Sequence, residues 1–386
     1  MSLAELPPHH NNESLPHGVE LEAGSRYELH QIDTVDPYIS DEVTFWRINK
    51  ELNDLMEMGY RGDTSIDLGR KRKGTIERDN PATAALIEKL PTFSDWLDLV
   101  PTAAALDSLY DPHKATLANG KPLSPELAEW FCNIVDGRGI RSRAEMVRGI
   151  MSEDTMAVDG QAKWLSLASG AAQPIIKTAA LLTENGVPTP LITLVDRDDA
   201  SLKLAKDYAK EAGIEGMVQT KKINILQPKG IDRPEQTYDL MESGTVTSEA
   251  VSIKGLVRKL RDGNRLPEEF YDTVEVVGLT EYLLEDDWKY TYNKVINTKL
   301  PMAGARSFLH NAYRLVKPGG SLIVGNMLDT HPQLGFTLNV IQWPHIQPRS
   351  IDDMMHIFDT AGLDGKTDVY TAPDGAYAIY RIRKGI

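Results

Sequence analysis

The chain has 386 residues, of which 41% are hydrophobic, so it can bury a large core in about two domains. Its formal net charge of −14 disfavours a general nucleic-acid or anionic-membrane partner, because like charges would repel. The single cysteine, Cys132, excludes an intramolecular disulfide and a thiolate metal cluster, and no metal site is predicted. The sequence shows no signal peptide and no long apolar span, so we expect a cytoplasmic protein.

The N-terminal part of the chain is predicted to be an arm followed by helices. Residues 1–40 are polar, proline-rich near their start and without hydrophobic periodicity, so we predict a mobile arm. From residue 41 apolar residues recur at helical spacing, and further helices are predicted at residues 81–90, 93–99 and 125–135. We assign residues 41–155 to a helical domain that covers the substrate, and residues 156–386 to a catalytic domain.

A last predicted helix of the N-terminal domain carries Arg141 and Arg143 and leads directly into the next strand. Their position makes them neighbours of a ligand pocket at that strand. A guanidinium binds a carboxylate bidentately, so these arginines are candidates to bind a ligand carboxylate. The alternative is that they lie on a solvated helix face.

An apolar run that starts at Lys163 breaks into the small residues Ala168, Ser169 and Gly170. This pattern is typical of a buried strand that ends in a turn whose backbone a ligand can approach closely. After a helix, a second strand ends in Asp196, about 25 residues later, where a carboxylate can accept the hydrogen bonds of a ribose diol. One glycine replaces the usual Gly-x-Gly-x-x-Gly, which favours an adenosine ligand without a pyrophosphate, such as S-adenosylmethionine (SAM).

The chain then continues as alternating strands and helices. The predicted elements are helices at 175–182, 200–212, 251–260, 303–315 and 351–361, strands at 191–195, 217–223, 271–278 and 321–325, and a hairpin of residues 366–371 and 376–383. The hairpin is predicted to be antiparallel and to close an otherwise parallel sheet.

Taken in order, these features resemble the class I SAM-dependent methyltransferases over about residues 162–384. The features that carry the resemblance are the small-residue turn, Asp196, the strand Tyr271-Asp272-Thr273-Val274, the segment Leu315-Val316-Lys317-Pro318-Gly319-Gly320 and the terminal hairpin. The resemblance implies an α/β fold, with a Rossmann-like αβα sheet and an antiparallel C-terminal hairpin, preceded by the helical N-terminal domain. Ser166 stands where the family has an acid. The turn is similar to that of a bacterial subgroup with a helical N-terminal extension, some of which resemble hydroxy-fatty-acid methyl ester biosynthesis proteins.

The resemblance implies SAM as the cofactor and a small molecule as the substrate. Asp196 would hold the ribose hydroxyls, and Asn224 would contact the adenine amino group. If SAM is the ligand, the carboxylate proposed above for Arg141 is that of the methionine part or of an acidic substrate. The other residues implied to lie along SAM are Ala168, Ser169, Gly170, Ile225 and Gly278. The simpler alternatives are a helix N-cap for Asp196, an exposed turn for Asn224 and a strand terminator for Gly278.

Methyl transfer mainly requires in-line positioning, because the sulfonium is already an activated leaving group. For a hydroxyl, carboxyl or amine acceptor a base is useful, and Tyr282, His331 and His345 lie in predicted loops near strand ends. Both histidines could instead pack within loops. The expected function is that of a SAM-dependent methyltransferase. A homodimer is compatible with this function. The alternatives are aminocarboxypropyl transfer, intramolecular cyclisation of SAM, and SAM binding without turnover.

Overall fold

The computed structural model describes residues 27–34, 36–39, 41–59, 76–226, 266–293 and 298–386. The helix expected at residues 251–260 and the first 26 residues of the expected arm lie outside these ranges. Within the described residues, no helix combines the length and the apolar character that crossing a bilayer requires.

A short strand precedes the helical N-terminal region. These elements are β1 (Tyr27–Gln31), α1 (Glu42–Met58), α2 (Pro81–Lys89), α3 (Phe93–Leu97), α4 (Ala103–Tyr110), α5 (Pro125–Asn133) and α6 (Val135–Met156). Side-chain caps define several helix starts, because the first N–H groups of a helix lack partners within it. Asp41 accepts a hydrogen bond from the Thr44 N–H, and Ser124 accepts one from the Leu127 N–H.

Strands and helices alternate in the remainder of the chain. The elements are β2 (Lys163–Leu167), α7 (Gln173–Glu184), β3 (Leu191–Asp196), α8 (Asp199–Glu211), β4 (Val218–Lys222), β5 (Tyr271–Val277), β6 (Trp288–Asn293), β7 (Thr298–Met302), α9 (Ala305–Leu315), β8 (Val316–Met327), α10 (Leu334–Asn339), α11 (Ile351–Thr360), β9 (Lys366–Thr371) and β10 (Tyr377–Arg383). Short 3-10 helices occupy Glu215–Met217 and Thr280–Tyr282. The predicted elements within the described residues are present, whereas the β6–β7 hairpin was not predicted.

Eight strands form one sheet in the order β1-β9-β10-β8-β5-β2-β3-β4. β10 is antiparallel to both of its neighbours, β8 and β9, and the other pairs in this sheet are parallel. This arrangement confirms the predicted α/β fold with an antiparallel C-terminal hairpin. The parallel strands need crossover connections, which include α7, α8 and α9.

The structure corrects the mobile arm predicted for residues 1–40 in the part that it describes. β1 pairs in parallel with β9 and extends the sheet by one edge strand, and its Tyr27 and Leu29 pack against the core. Asp36 is buried against Arg141. A five-residue edge strand with two apolar side chains gives a weak pattern, so its partner β9 decides its conformation rather than local sequence.

The N-terminal helices share their core with the end of the sheet. One cluster of buried side chains joins Trp96 and Phe131 of the helical region to Met327, Trp343 and Tyr377 of the C-terminal half. Burial of each such large side chain stabilises the fold by roughly 1.5–3 kcal/mol. The helices are therefore held firmly over the carboxyl ends of β5 and β8.

Candidate active site

The carboxyl ends of β2, β3 and β5 lie side by side, because β2 pairs with both of the others in parallel. Ligands of open α/β sheets bind at this edge. In the turn after β2, Ala168 and Gly170 both have φ of 54°, in the left-handed region that disfavours an alanine. A strained, small-residue turn at this edge is a candidate contact for a ligand.

Asp196 ties this turn to the end of β3. Its Oδ2 accepts a hydrogen bond of 2.9 Å from the Gly170 N–H, and its Oδ1 accepts one of 2.9 Å from the Asp198 N–H. Because a carboxylate offers about four acceptor positions, Asp196 retains capacity for a diol. Asp198 caps α8, accepting from the N–H groups of Ala200 and Ser201, so the N-cap alternative for Asp196 is wrong.

Ser169 and Gly170 differ in what they present at the turn. The Ser169 Oγ is buried and has no hydrogen-bond partner among the described residues. An unsatisfied buried hydroxyl costs about 1–3 kcal/mol, so a polar ligand atom is a natural partner. A Cβ at Gly170 would lie 2.8 Å from the Cβ of Ala103, at the start of α4. The absent side chain of Gly170 thus allows the helical region to approach the turn closely.

Asn224 and Ile225 follow β4, near the same edge of the sheet. The Asn224 Oδ1 accepts a 3.2 Å hydrogen bond from the Leu226 N–H, which closes a turn of the kind that asparagine favours. Asn224 is half-buried rather than exposed. Ile225 packs in the main core cluster. Both side chains therefore have clear structural roles at this position.

The assignment of Arg141 to a ligand carboxylate is corrected by the structure. Its Nε and Nη2 donate to the Asp36 carboxylate over 2.7–3.0 Å, and its Nη1 donates to the carbonyls of Leu109 and Phe131. A second Nη2 hydrogen bond of 2.8 Å reaches the Cys132 carbonyl. These partners use all five N–H donors of a guanidinium. Arg141 consequently holds the N-terminal segment and two helices together instead of meeting a ligand.

A cavity lies between the N-terminal helices and the carboxyl ends of β5 and β8. The space between its walls, out to the mouth, is about 510 Å³. Its apolar and aromatic wall includes Trp96, Leu106, Leu109, Ile140, Met327 and Trp343, and its charged wall residues are Asp136, Arg143 and Glu281. Gly278, at the end of β5 with φ of 90°, belongs to the wall. The cavity therefore reaches the carboxyl end of β5.

Tyr282 is the one predicted catalytic candidate that lines this cavity. Its hydroxyl accepts a 2.7 Å hydrogen bond from the Trp343 Nε1. Burial, together with the neighbouring Glu281 carboxyl, raises the pKa of Tyr282 well above its ordinary value. The phenol therefore stays protonated and can position a substrate, but it is a poor base.

The two predicted catalytic histidines are placed differently. The His331 Nε2 lies 2.9 Å from an Asp136 carboxylate oxygen, and its Nδ1 accepts from the Gln333 N–H. Both ring nitrogens thus face protein atoms, which corrects the assignment of His331 as a catalytic base. His345 is half-buried between Trp343 and Ile346, which are wall residues, whereas His345 is not.

Arg143, the second candidate for a ligand carboxylate, lines the cavity instead. Its Nη2 donates a 3.1 Å hydrogen bond to the Tyr110 hydroxyl, and its Nη1 lies 3.9 Å from the Glu281 Oε1. The guanidinium carbon lies 4.6 Å from the centroid of the Tyr377 ring. Burial raises the pKa of Glu281, although Arg143 opposes this shift. Glu281 and Asp136 were missed, because no local pattern separates a cavity acid from a surface acid.

A second buried carboxyl lies beside Ser166, where the family resemblance implies an acid. The Ser166 hydroxyl donates a 2.6 Å hydrogen bond to Glu275 of β5, and the Val277 N–H donates one of 2.7 Å. Ser166 and Glu275 are register partners of β2 and β5. Burial raises the pKa of Glu275 to about 7, despite these hydrogen bonds. The carboxyl group thus comes from the adjacent strand rather than from β2.

Comparison with solved structures shows similarity over most of the chain. A possible exported protein from Bordetella parapertussis matches 90% of this chain and 100% of its own, at 13% identity and a TM-score of 0.53. The CMeT domain of the citrinin polyketide synthase matches 92% of this chain and 82% of its own, at 14% identity and a TM-score of 0.44. Magnesium protoporphyrin IX methyltransferase from Synechocystis PCC 6803, with bound SAH, matches 64% of this chain and 84% of its own, at 12% identity and a TM-score of 0.38.

No protein-family model and no curated protein sequence matches the chain. At the identities of the solved structures, likeness concerns the fold alone. The sheet has β2 between β5 and β3, and the last strand, β10, is inserted antiparallel between β8 and β9. This order of strands is that of the class I SAM-dependent methyltransferases, and the chain has their fold.

Proposed function

We propose that this protein is a SAM-dependent methyltransferase whose acceptor is a small molecule held in the cavity under the N-terminal helices. The observation that carries the proposal is the position of Gly278. It terminates β5 at the ligand edge of the sheet and also forms part of the cavity wall. A cofactor at the sheet edge and an acceptor in the cavity would therefore be neighbours.

The residues at the edge of the sheet fit SAM. Asp196 retains acceptor positions for the ribose hydroxyls, and the buried Ser169 Oγ offers a hydrogen bond to a polar part of the ligand. The left-handed turn at Ala168 brings backbone close to the cleft. Asn224 and Ile225 border the same edge, beyond β4. When bound, SAM supplies a methyl group on an activated sulfonium.

The protein's own contribution to such a reaction is positioning and exclusion of water. The wall of the cavity is mainly apolar and aromatic, so an acceptor in it loses its hydration. Holding the acceptor in line with the leaving group converts a bimolecular step into an effectively unimolecular one. The Tyr282 hydroxyl can orient the acceptor without taking its proton.

Asp196→Ala is expected to weaken SAM binding by about 10- to 100-fold, because hydrogen bonds to a charged group contribute about 1.5–3 kcal/mol. Isothermal calorimetry with SAM and SAH measures this change. Asp198→Ala is the matched control, since it removes the α8 cap two residues away and should leave SAM affinity unchanged. Affinity of the Asp196→Ala protein close to that of the parent would refute the ribose assignment.

Mass analysis of the products tests the reaction itself. The parent protein, SAM and a panel of small hydroxyl, carboxyl and amino compounds should yield a methylated compound and SAH. An aminocarboxypropylated compound would show that the reaction is aminocarboxypropyl transfer, and a cyclisation product of SAM would show that it is intramolecular cyclisation. Binding of SAM without any product would favour a non-catalytic role, and absence of SAM binding would overturn the proposal.

The partner proposed for this protein is a small-molecule substrate and not a nucleic acid. A formal net charge of −14 supports a small-molecule substrate over a nucleic acid. A cytoplasmic location and a homodimer are further proposals, which cell fractionation and light scattering of the purified protein would test.

A further inference from the structure

The charged groups of the cavity limit the acceptors that it can take. Arg143 is the arginine in the wall, and it lies between two buried carboxyl groups, Glu275 and Glu281. A third carboxyl, Asp136, has His331 as its neighbour at 2.9 Å. Arg143 and His331 each have a carboxyl neighbour, so a neutral acceptor adds no unpaired charge to this buried group.

One atom in this group lacks a partner. The Glu281 Oε2 is buried and has no hydrogen-bond partner among the described residues, although the Met327 N–H and the Tyr282 hydroxyl lie beside the same carboxyl group, which lines the cavity. A buried carboxylate oxygen without a donor is unfavourable, and a hydroxyl group on a ligand would supply that donor. Glu281 also follows Gly278 by three residues in the chain, and both residues line the cavity.

The remainder of the wall indicates the shape of the acceptor. Trp96 and Trp343 are 6.4 Å apart between ring centroids, and Tyr282 and Tyr377 add two further rings to the wall. Aromatic walls favour planar aromatic ligands through offset and edge-to-face contacts. A neutral aromatic molecule with one hydroxyl group matches both this wall and the single buried acceptor.

We infer that the acceptor is a neutral aromatic alcohol of the phenol type, and that Glu281 is the catalytic residue that takes the proton of its hydroxyl. This inference rests on the proposed function. The hydroxyl oxygen forms a bond to the methyl carbon of SAM while the carbon–sulfur bond breaks, and the sulfur keeps the electron pair. The hydroxyl proton passes to the Glu281 carboxylate, so the products are an aryl methyl ether, SAH and a protonated Glu281.

The test uses the full chain with SAM and three matched probes, 2-naphthol, 2-naphthoate and 2-naphthylamine. Methylated products are quantified by mass spectrometry, and SAM binding is measured separately. The expected result is methylation of 2-naphthol, with 2-naphthoate at least 100-fold slower, because a carboxylate has no proton to donate to Glu281. SAM binding without methylated 2-naphthol overturns this inference and leaves the proposed function standing if another probe is methylated. Absence of SAM binding overturns both.

Glu281→Gln separates catalysis from structure, because it keeps the shape of the side chain and removes its basicity. We expect kcat for 2-naphthol to fall at least 100-fold while KM and SAM affinity change by less than about threefold. Glu285→Gln, whose carboxyl pairs with Arg306 and lies outside the cavity wall, should leave kcat unchanged. An unchanged kcat in Glu281→Gln, or an equal loss of kcat and SAM affinity, overturns the role of Glu281.

A second variant tests the cavity without touching Glu281. Leu106 of α4 is half-buried and lines the cavity, so Leu106→Trp places a larger side chain into it. Binding of 2-naphthol to the SAH complex should weaken at least tenfold, while SAH affinity stays that of the parent. Equal affinity of both proteins for 2-naphthol would show that the acceptor lies elsewhere.

Discussion

Arg141→Ala is expected to lower the free energy of unfolding by about 3–5 kcal/mol, because it leaves the buried Asp36 carboxylate without its cation. Arg141 is 6% exposed, and it also binds three backbone carbonyls, those of Leu109, Phe131 and Cys132. Their loss removes the connection between the N-terminal segment, α4, the end of α5 and α6. Denaturant unfolding of the purified variant, followed by circular dichroism, measures the change.

Arg148→Ala is the control on the same helix. Arg148 pairs with Glu145 at the surface, with side chains 32% and 43% exposed, and such pairs contribute about 1 kcal/mol or less. The two variants remove the same charge from α6 and differ in burial. A loss in Arg141→Ala no greater than that in Arg148→Ala would contradict the assignment of Arg141 to the buried network.

Glu275→Gln is expected to remove a pH dependence of stability of about 3 kcal/mol. Burial raises the pKa of Glu275 from 4.5 to about 7 in the folded protein, so the folded state holds a proton that the unfolded chain releases. The stability that this carboxyl contributes is fully present below pH 4.5 and is lost as pH rises through about 7. At roughly 1.4 kcal/mol for each pKa unit, the loss amounts to about 3 kcal/mol.

The measurement is the free energy of unfolding of parent and variant between pH 4 and pH 8. The difference, parent minus Glu275→Gln, should fall by about 3 kcal/mol over this range, since other groups cancel in the subtraction. For Glu184→Gln, a change at the exposed end of α7, the free energy of unfolding should vary with pH as it does in the parent. A constant difference for Glu275→Gln would mean that the pKa of Glu275 is the same in the folded and unfolded states.

The geometry at the carboxyl ends of β2 and β3 was predictable because its signals are local. The small residues 168–170 directly follow an apolar strand, and Asp196 directly follows the next one. Parallel pairing of β2 with β3 then brings the two segments together, and the hydrogen bond from the Gly170 N–H to Asp196 joins them. The terminal hairpin was predictable for the same reason, since its strands flank one short turn.

The polar groups around the cavity were only partly predictable. Arg141 and Arg143 are two residues apart on α6, so they point in different directions. The first meets Asp36, from a segment predicted to be mobile, and the second meets Glu281, from beyond β5. Local sequence does not distinguish the two arginines, because the partner of each lies about 100 residues away or more in the chain; the ligand assigned to Arg141 was therefore wrong.

Local sequence patterns were enough to predict most strands and helices in order, the turn after β2 and the place of Asp196 at the end of β3. These depend on hydrophobic periodicity and on residues within one supersecondary unit. Packing between distant segments places residues 27–31 in the sheet, the His331 ring next to the Asp136 carboxylate, and Glu275 next to Ser166. The same packing determines which acids face the cavity, because burial and pairing arise only when segments distant in the chain come together.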